Sequence, residues 1–117
     1  MNYNGKHLLA ECLDALSRLE FPKDRWEVVL VDNASSHGSI EFVTTTYPWV
    51  RLHRLESNRG FADGNNEGIR VARADSVVLL NNDTSVDSGW LGPLVEALEV
   101  DPLVGGAGSK ILLRRDA

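Results

Sequence analysis

The stretch Trp26-Glu27-Val28-Val29-Leu30-Val31-Asp32-Asn33-Ala34-Ser35-Ser36 decides how this chain is read. From Val28 it is apolar without a break and rich in β-branched side chains. From Asp32 it is polar and built of turn and cap formers. A strand with one wet face would alternate, whereas an unbroken apolar run fits a strand covered on both faces, as in a parallel sheet. Val77-Val78-Leu79-Leu80 repeats the pattern and runs into Asn81-Asn82-Asp83-Thr84.

Around these two runs the apolar spacing is helical. Leu8, Leu9, Cys12, Leu13, Leu16 and Leu19 predict a helix over residues 6–19, closed by Phe21-Pro22. A short helix is expected over 39–45, a more exposed strand over 50–55, and a helix over 62–74. A further helix over 89–100 tolerates Pro93 in its first turn. A last strand is expected over 103–113, interrupted by Gly105-Gly106-Ala107-Gly108. This alternation predicts an α/β fold with a mainly parallel sheet and helices on both faces. Such sheets bind ligands beyond the carboxyl ends of their strands. Residues 28–31 and 77–80 are thus expected to be the central, most buried strands, with Asp32 and Asp83 opening into one crevice.

Composition narrows the function. The 117 residues make one domain over 1–117, with 43% hydrophobic and 25% charged residues, which is globular composition. Twelve Lys and Arg against 17 Asp and Glu give a net charge of −5, which argues against a nucleic-acid partner. One cysteine, Cys12, excludes an intrachain disulfide and a multi-thiolate zinc site. It points to the cytoplasm or the cytoplasmic face of a membrane. No apolar run approaches the ~20 residues of a membrane-spanning helix. P-loop and dinucleotide-binding patterns are absent. His7, His37 and His53 lack metal-ligand spacing, and His53 is expected to be solvated. Cys12, on the apolar face of the first helix, is expected to be buried and inert.

Three segments carry chemistry. Asp32, at a strand end, either caps a turn or accepts hydrogen bonds from a ligand N–H or ribose hydroxyl. Asp83 in Asn81-Asn82-Asp83 either makes an Asx turn or holds a hard cation shared with a diphosphate, since one carboxylate alone makes a poor site. In Asn58-Arg59-Gly60-Phe61-Ala62-Asp63-Gly64-Asn65-Asn66-Glu67-Gly68-Ile69, glycines recur every fourth position. Each costs a helix about 1 kcal/mol relative to Ala, so something must come close to that face. The sheet is the expected neighbour of Gly68, and a phosphate at the helix N-terminus is the hypothesis for Gly60 and Gly64.

Together these segments resemble the family 2 inverting glycosyltransferases of GT-A fold. The residues that carry the likeness are Asn2-Tyr3-Asn4-Gly5, residues 29–39 from Val29 to Ser39 (with His37 where the family usually has Asp), residues 58–69, and Leu79-Leu80-Asn81-Asn82-Asp83-Thr84. The wording is closest to the rhamnosyltransferase-like branch. The resemblance implies transfer of a sugar, with inversion, from a dTDP- or UDP-sugar to a saccharide or lipid-linked acceptor, as in cell-wall or polysaccharide synthesis. It implies Tyr3 against the base, Asp32 on base or ribose, and Asn58, Gly60, Phe61, Gly64, Asn65, Asn66 and Asn82 around the nucleotide. Asp83 would reach the diphosphate through Mg²⁺ or Mn²⁺. Asn81 stands where a full DxD motif has its first Asp. Two further features of the family are not matched. Its first strand precedes the Asn2-Tyr3-Asn4-Gly5 loop, so residues 28–31 are expected to show an open edge through which a homo-oligomer can form. Its catalytic base follows the metal motif and is expected beyond Ala117. The alternative reading is a non-catalytic nucleotide or nucleotide-sugar binding module.

Overall fold

The structure, a computed structural model, describes residues 1–2, 5–36, 38–109 and 112. Two parallel strands form its sheet, β1 (Val29–Asp32) and β2 (Arg51–Arg54), in register from Val29 opposite Arg51 to Asp32 opposite Arg54. The ladder continues past both ends: Arg51 N–H donates to Val28 C=O at 2.9 Å and Leu55 N–H to Asp32 C=O at 2.9 Å. On the other edge of β1, Asn2 forms a parallel bridge with Asp32. Its N–H donates to Val31 C=O and its carbonyl accepts from Asn33 N–H, both at 2.7 Å.

Successive side chains of a strand point to opposite faces. Leu30 enters the main core with Leu9, Leu13 and Leu16 of α1 (Lys6–Ser17) and Val43 of α2 (Ser39–Thr46). Val31 faces α3 (Phe61–Val71), where a Cβ on Gly68 would stand 3.0 Å from Val31 Cγ2. Helices therefore cover both faces, as the continuous apolarity of β1 requires. The glycine at 68 is explained by this approach of helix to sheet, as expected. The end of α3 is tied to the sheet, because the Arg51 guanidinium donates to Val71 C=O and Glu27 accepts from Arg73 N–H at 3.0 Å. This anchoring stops the helix at Val71, short of Ala74.

The fourth helix, α4 (Leu91–Val100), places Pro93 in its first turn and buries Leu91. Trp90 and Val95 pack against the main core from this side. Immediately after Asn33 the chain turns through Ala34, whose φ of 64° is left-handed. That conformation costs a residue with a Cβ about 1–2 kcal/mol. It holds because its neighbours Asn33 and Ser35 are themselves buried and held by hydrogen bonds.

One expected strand is not formed, nor is the described part of another. Residues 77–80 are irregular, and Val77, Val78 and Leu79 are 41%, 46% and 60% exposed rather than central. Only Leu80 of this run packs on the main core. The run has the composition of a strand but no strand neighbour among the described residues, and strand structure exists only as pairing. The direct pairing of this run with β1 that would close the sheet is absent as well. Residues 103–109 likewise form no strand and are exposed. Of the remainder of that expected strand only Leu112 is described, and it is 77% exposed.

The contrast between covered and bare apolar residues gives a measurable consequence. Leu13 is 2% exposed among the α1 leucines, whereas Leu103 is 91% exposed. Leu13→Ala should lower unfolding free energy by about 2–5 kcal/mol. Leu103→Ala should leave it within about 0.5 kcal/mol. Urea melts of the two variants beside the parent measure both.

Candidate functional site

Buried polar side chains collect at the carboxyl end of β1: Asn2 and Asp32 are each 1% exposed and Asn33 is 2%. Groups so placed must find partners or destabilise the fold. Asp32 Oδ1 accepts from Asn2 Nδ2 at 3.0 Å, and Oδ2 accepts from Ser35 N–H at 2.9 Å. Asn2 Nδ2 also donates to Ser35 Oγ at 3.2 Å. The Asn2 Oδ1 accepts from Gly5 N–H and from Asn82 Nδ2, each at 3.0 Å. Both donors and both lone pairs of one amide are thereby used.

Asn33 secures the neighbouring loop. Its Oδ1 accepts from Arg59 N–H at 2.8 Å and its Nδ2 donates to Gly60 C=O at 3.0 Å. Gly60 has a φ of 81°, a conformation suited to glycine, and its N–H is held by Asn58 Oδ1 at 2.9 Å. These bonds aim the first turn of α3. A Cβ on Gly64 would run into the Met1 thioether, so this glycine admits the chain's own residue 1 beneath the helix. A Cβ on Gly60, by contrast, would meet nothing within 4 Å among the described residues.

The result is a cavity of about 240 Å³ beyond the strand ends. Phe61 and Asn65 of α3 form one wall, with Met1 beside them; Leu79 and Leu80 line it too, and Asn81, Asn82 and Asp83 bring the polar groups. The 81–84 turn is closed by Thr84 Oγ1 donating to Asn81 C=O at 2.6 Å. Below it, Cys12 Sγ lies 3.9 Å from the same carbonyl. Burial pushes the Cys12 thiol up from its ordinary value, so the expectation of a buried, inert cysteine agrees with its setting. A second, more open cleft of about 610 Å³ lies beside the loops after β1 and β2, between Ala34, Ser35 and Ser36 on one side and Arg54, Leu55 and Glu56 on the other.

The expected site residues separate into groups. Phe61, Asn65, Asn82 and Asp83 meet at the first cavity. Asn58 and Gly60 shape the loop that presents them, Gly64 lies underneath, and Asn66 is exposed on α3 outside the lining. Asp32 does not open into one crevice with Asp83. Its carboxylate is buried and engaged inside the chain, and Asn2 and Asn82 stand between the two acids. Tyr3 and His37 lie outside the described residues. Asn2 and Asn33 are the positions that sequence reasoning did not single out. A loop asparagine has no local signature that separates a buried network from an ordinary turn.

Among the described residues no group of three or more His, Cys, Asp or Glu could hold a metal ion. The cavity offers the Asp83 carboxylate beside the amides of Asn81 and Asn82. That set fits a hard cation whose remaining ligands are phosphate oxygens and water, and does not fit an all-protein cage.

A separate ionic cluster braces α3. Glu67 accepts from Arg70 at 2.7 Å, and lies 3.4 Å from both Arg59 Nη1 and His53 Nε2. Arg59 also pairs with Asp63 at 2.8 Å. His53 is therefore a half-buried partner of α3 rather than a solvated side chain, because its Nε2 lies 3.4 Å from the Glu67 carboxylate.

The sheet with helices on both faces and a polar cavity at the strand ends is that of the GT-A fold. It is shared with the mannosyltransferase PcManGT of Pyrobaculum calidifontis, solved in complex with GDP-Man and Mn²⁺ (TM-score 0.79, 33% identity, over 89% of this chain and 32% of that one). It is shared also with TarS of S. aureus, solved in complex with UDP (TM-score 0.76, 24% identity, over 85% of this chain and 30% of that one), a likeness of fold alone. The family described as Glycosyl transferase family 2 matches residues 1–111, and the chain belongs to that family. Glycosyltransferase AglE of Haloferax volcanii is 30% identical over 110 residues, which are 89% of this chain and 36% of AglE. Poly-beta-1,6-N-acetyl-D-glucosamine synthase of Staphylococcus epidermidis is 29% identical over 108 residues, 88% of this chain and 25% of that protein. The chain thus spans about a quarter to a third of the length of these relatives.

The ionic cluster sets a pH response. The hydrogen bond from Arg70, with the charges of Arg70 and Arg59 and a hydrogen bond with His53, holds the Glu67 carboxyl down at about 2, against an ordinary 4.5. A folded-state value below the unfolded one contributes stability that is complete above about pH 4.5 and is lost as pH falls toward 2. Glu67→Gln should be less stable than the parent at neutral pH and should flatten the acid limb between those values. Chemical denaturation at a series of pH values checks this.

Proposed function

We propose that this chain is the nucleotide-sugar-binding part of a glycosyltransferase that transfers a sugar, with inversion, from a nucleotide-diphosphate donor to a saccharide or lipid-linked acceptor. One observation carries the reading. The cavity joins the first turns of α3 to the Asn81-Asn82-Asp83 turn, so that an apolar ring, an amide and a carboxylate converge beyond the strand ends. Phe61, 64% exposed, offers its face to the ligand. Asn65 and Asn82 supply hydrogen bonds, and Asp83 holds Mg²⁺ or Mn²⁺ against the diphosphate. Tyr3 is assigned to the base, on the strength of the family resemblance. When bound, the cation acts as a Lewis acid that stabilises the negative charge of the departing nucleotide diphosphate. Leu79 and Leu80 make the lining partly apolar.

The names of the relatives support donor and acceptor classes. PcManGT was solved with GDP-Man and Mn²⁺, and the Staphylococcus epidermidis relative is a synthase of a poly-N-acetylglucosamine. UDP, dTDP and GDP donors are therefore all to be tried, with rhamnosyl transfer as the narrower option from sequence wording. We place the reaction in the cytoplasm or at the cytoplasmic face of a membrane, in keeping with a single free, buried thiol. Among the described residues no helix is long and apolar enough to cross a membrane. The edge of β1 opposite β2, paired only at Asn2 among the described residues, is the surface through which a second copy would pair.

Calorimetry of UDP, dTDP and GDP binding with and without Mn²⁺ tests the assignment. Asp83→Asn should abolish the metal-dependent gain in affinity, about tenfold or more for a lost ligand, and leave metal-free binding largely intact. Equal enhancement by Mn²⁺ in variant and parent would remove Asp83 from the metal site.

A further inference from the structure

The buried network behind the cavity has a direction. A carboxylate only accepts hydrogen bonds, a backbone N–H only donates, and a primary amide does one at each end. Asp32 is 1% exposed, and two donors converge on it, Asn2 Nδ2 at 3.0 Å and Ser35 N–H at 2.9 Å. An amide at position 32 could satisfy only one of them, so the position calls for an acid. Because Asp32 accepts, Asn2 must turn its NH₂ inward and its oxygen outward. Gly5 N–H donates to that oxygen at 3.0 Å, consistent with this orientation. Because the Asn2 oxygen faces Asn82, Asn82 must present its NH₂ to it, at 3.0 Å. The end of the Asn82 amide left for the cavity is then its oxygen, which no other described residue engages.

We infer that Asp32 is a positioning residue that acts through Asn2 to make Asn82 present a carbonyl oxygen, rather than an amide NH₂, to the ligand cavity beside Asp83. The charge buried at the end of β1 is read out two side chains away as the polarity of a cavity wall. An oxygen there accepts from a ligand hydroxyl or joins the shell of a divalent cation, whereas an NH₂ would face a cation with its positive end. This gives Asp32 a role that needs no contact with the nucleotide. It rests on the donor-site reading above for the identity of the ligand, but not for the network itself.

Two measurements on the whole chain separate those dependencies. The first needs no ligand: ¹⁵N–¹H spectra of the side-chain amides. In the parent, the NH₂ groups of Asn2 and Asn82 should be slow to exchange with solvent. Asp32→Asn should release Asn82, with its amide protons exchanging about 10-fold faster or more, the scale by which a lost buried hydrogen bond shifts an opening equilibrium. The second is calorimetry with UDP or GDP, with Mn²⁺ or with EDTA. Asp32→Asn should weaken the Mn²⁺-dependent gain by about 10–100-fold, the loss usual for partners that orient metal ligands. Binding in EDTA should stay within about twofold, since the nucleotide does not touch Asp32. The double variant Asp32→Asn, Asn82→Asp should recover Mn²⁺ dependence, because a carboxylate at 82 accepts whichever way Asn2 is turned. If Asp32→Asn does not melt cooperatively, Asn2→Ala cuts the same relay and should give the same two results. Unchanged Asn82 exchange in a folded Asp32→Asn variant overturns the inference. Loss of EDTA binding in step with Mn²⁺ binding also overturns it, and makes Asp32 a direct nucleotide contact. A parent that binds no nucleoside diphosphate refutes the donor-site reading, while the exchange measurement still decides the relay.

Discussion

One saturated amide holds this molecule's polar end together. Asn2 lies almost wholly out of water, bonded to β1 through its backbone and to Asp32, Ser35, Gly5 and Asn82 through its side chain. Hydrogen bonds in such surroundings contribute only about 1 kcal/mol each when made, and cost more when one partner is left unpaired. A network of this kind is therefore close to all-or-none. It joins the start of the chain, the end of β1, the entrance to α1 and the turn that carries Asp83. Elements far apart in sequence are brought to one place by a side chain with no charge and no reactivity of its own.

The rest of the site follows from closeness of approach. Gly68 lets α3 settle on Val31, and Gly64 lets Met1 pass beneath it. Each glycine weakens α3 intrinsically, and the ion pairs of Glu67 with Arg59, Arg70 and His53 brace it along its length. A helix chosen for how near it comes, rather than for how well it holds itself, places Phe61 and Asn65 within reach of Asn82 and Asp83.

Much of this was legible beforehand, and the failures share a cause. The helices α1 to α4 and the strands β1 and β2 are readable because the periodicity of apolar residues is a local property, and the run from Val28 to Asp32 carries the parallel sheet with it. Residues 77–80 look equally strand-like, yet form none, because pairing depends on a neighbouring backbone that no local pattern encodes. His53 looked solvated because its partner Glu67 lies on the next helix. Asp32 stands out in the sequence as an acid at a strand end, but its carboxylate is turned to a partner 30 residues earlier, Asn2. Residue type announced that chemistry was present at the strand ends. Only three-dimensional placement showed which acid meets the cavity and which supports it from behind.

The bare run Val77-Val78-Leu79 has a consequence for how copies of the chain behave in bulk solution. It is β-branched, uncharged and open to water, the composition that lets separate molecules adhere strand to strand. Arg73 and Asp75 precede it and Asp83 follows, so charge sits at both ends of the sticky stretch. At neutral pH the net charge of −5 adds a general repulsion between molecules. The isoelectric point is about 5.1, so mild acid removes that repulsion while the three apolar side chains stay as adhesive as before. The colloidal weak point of the chain therefore lies near its isoelectric point, well above the acid range in which Glu67 is titrated.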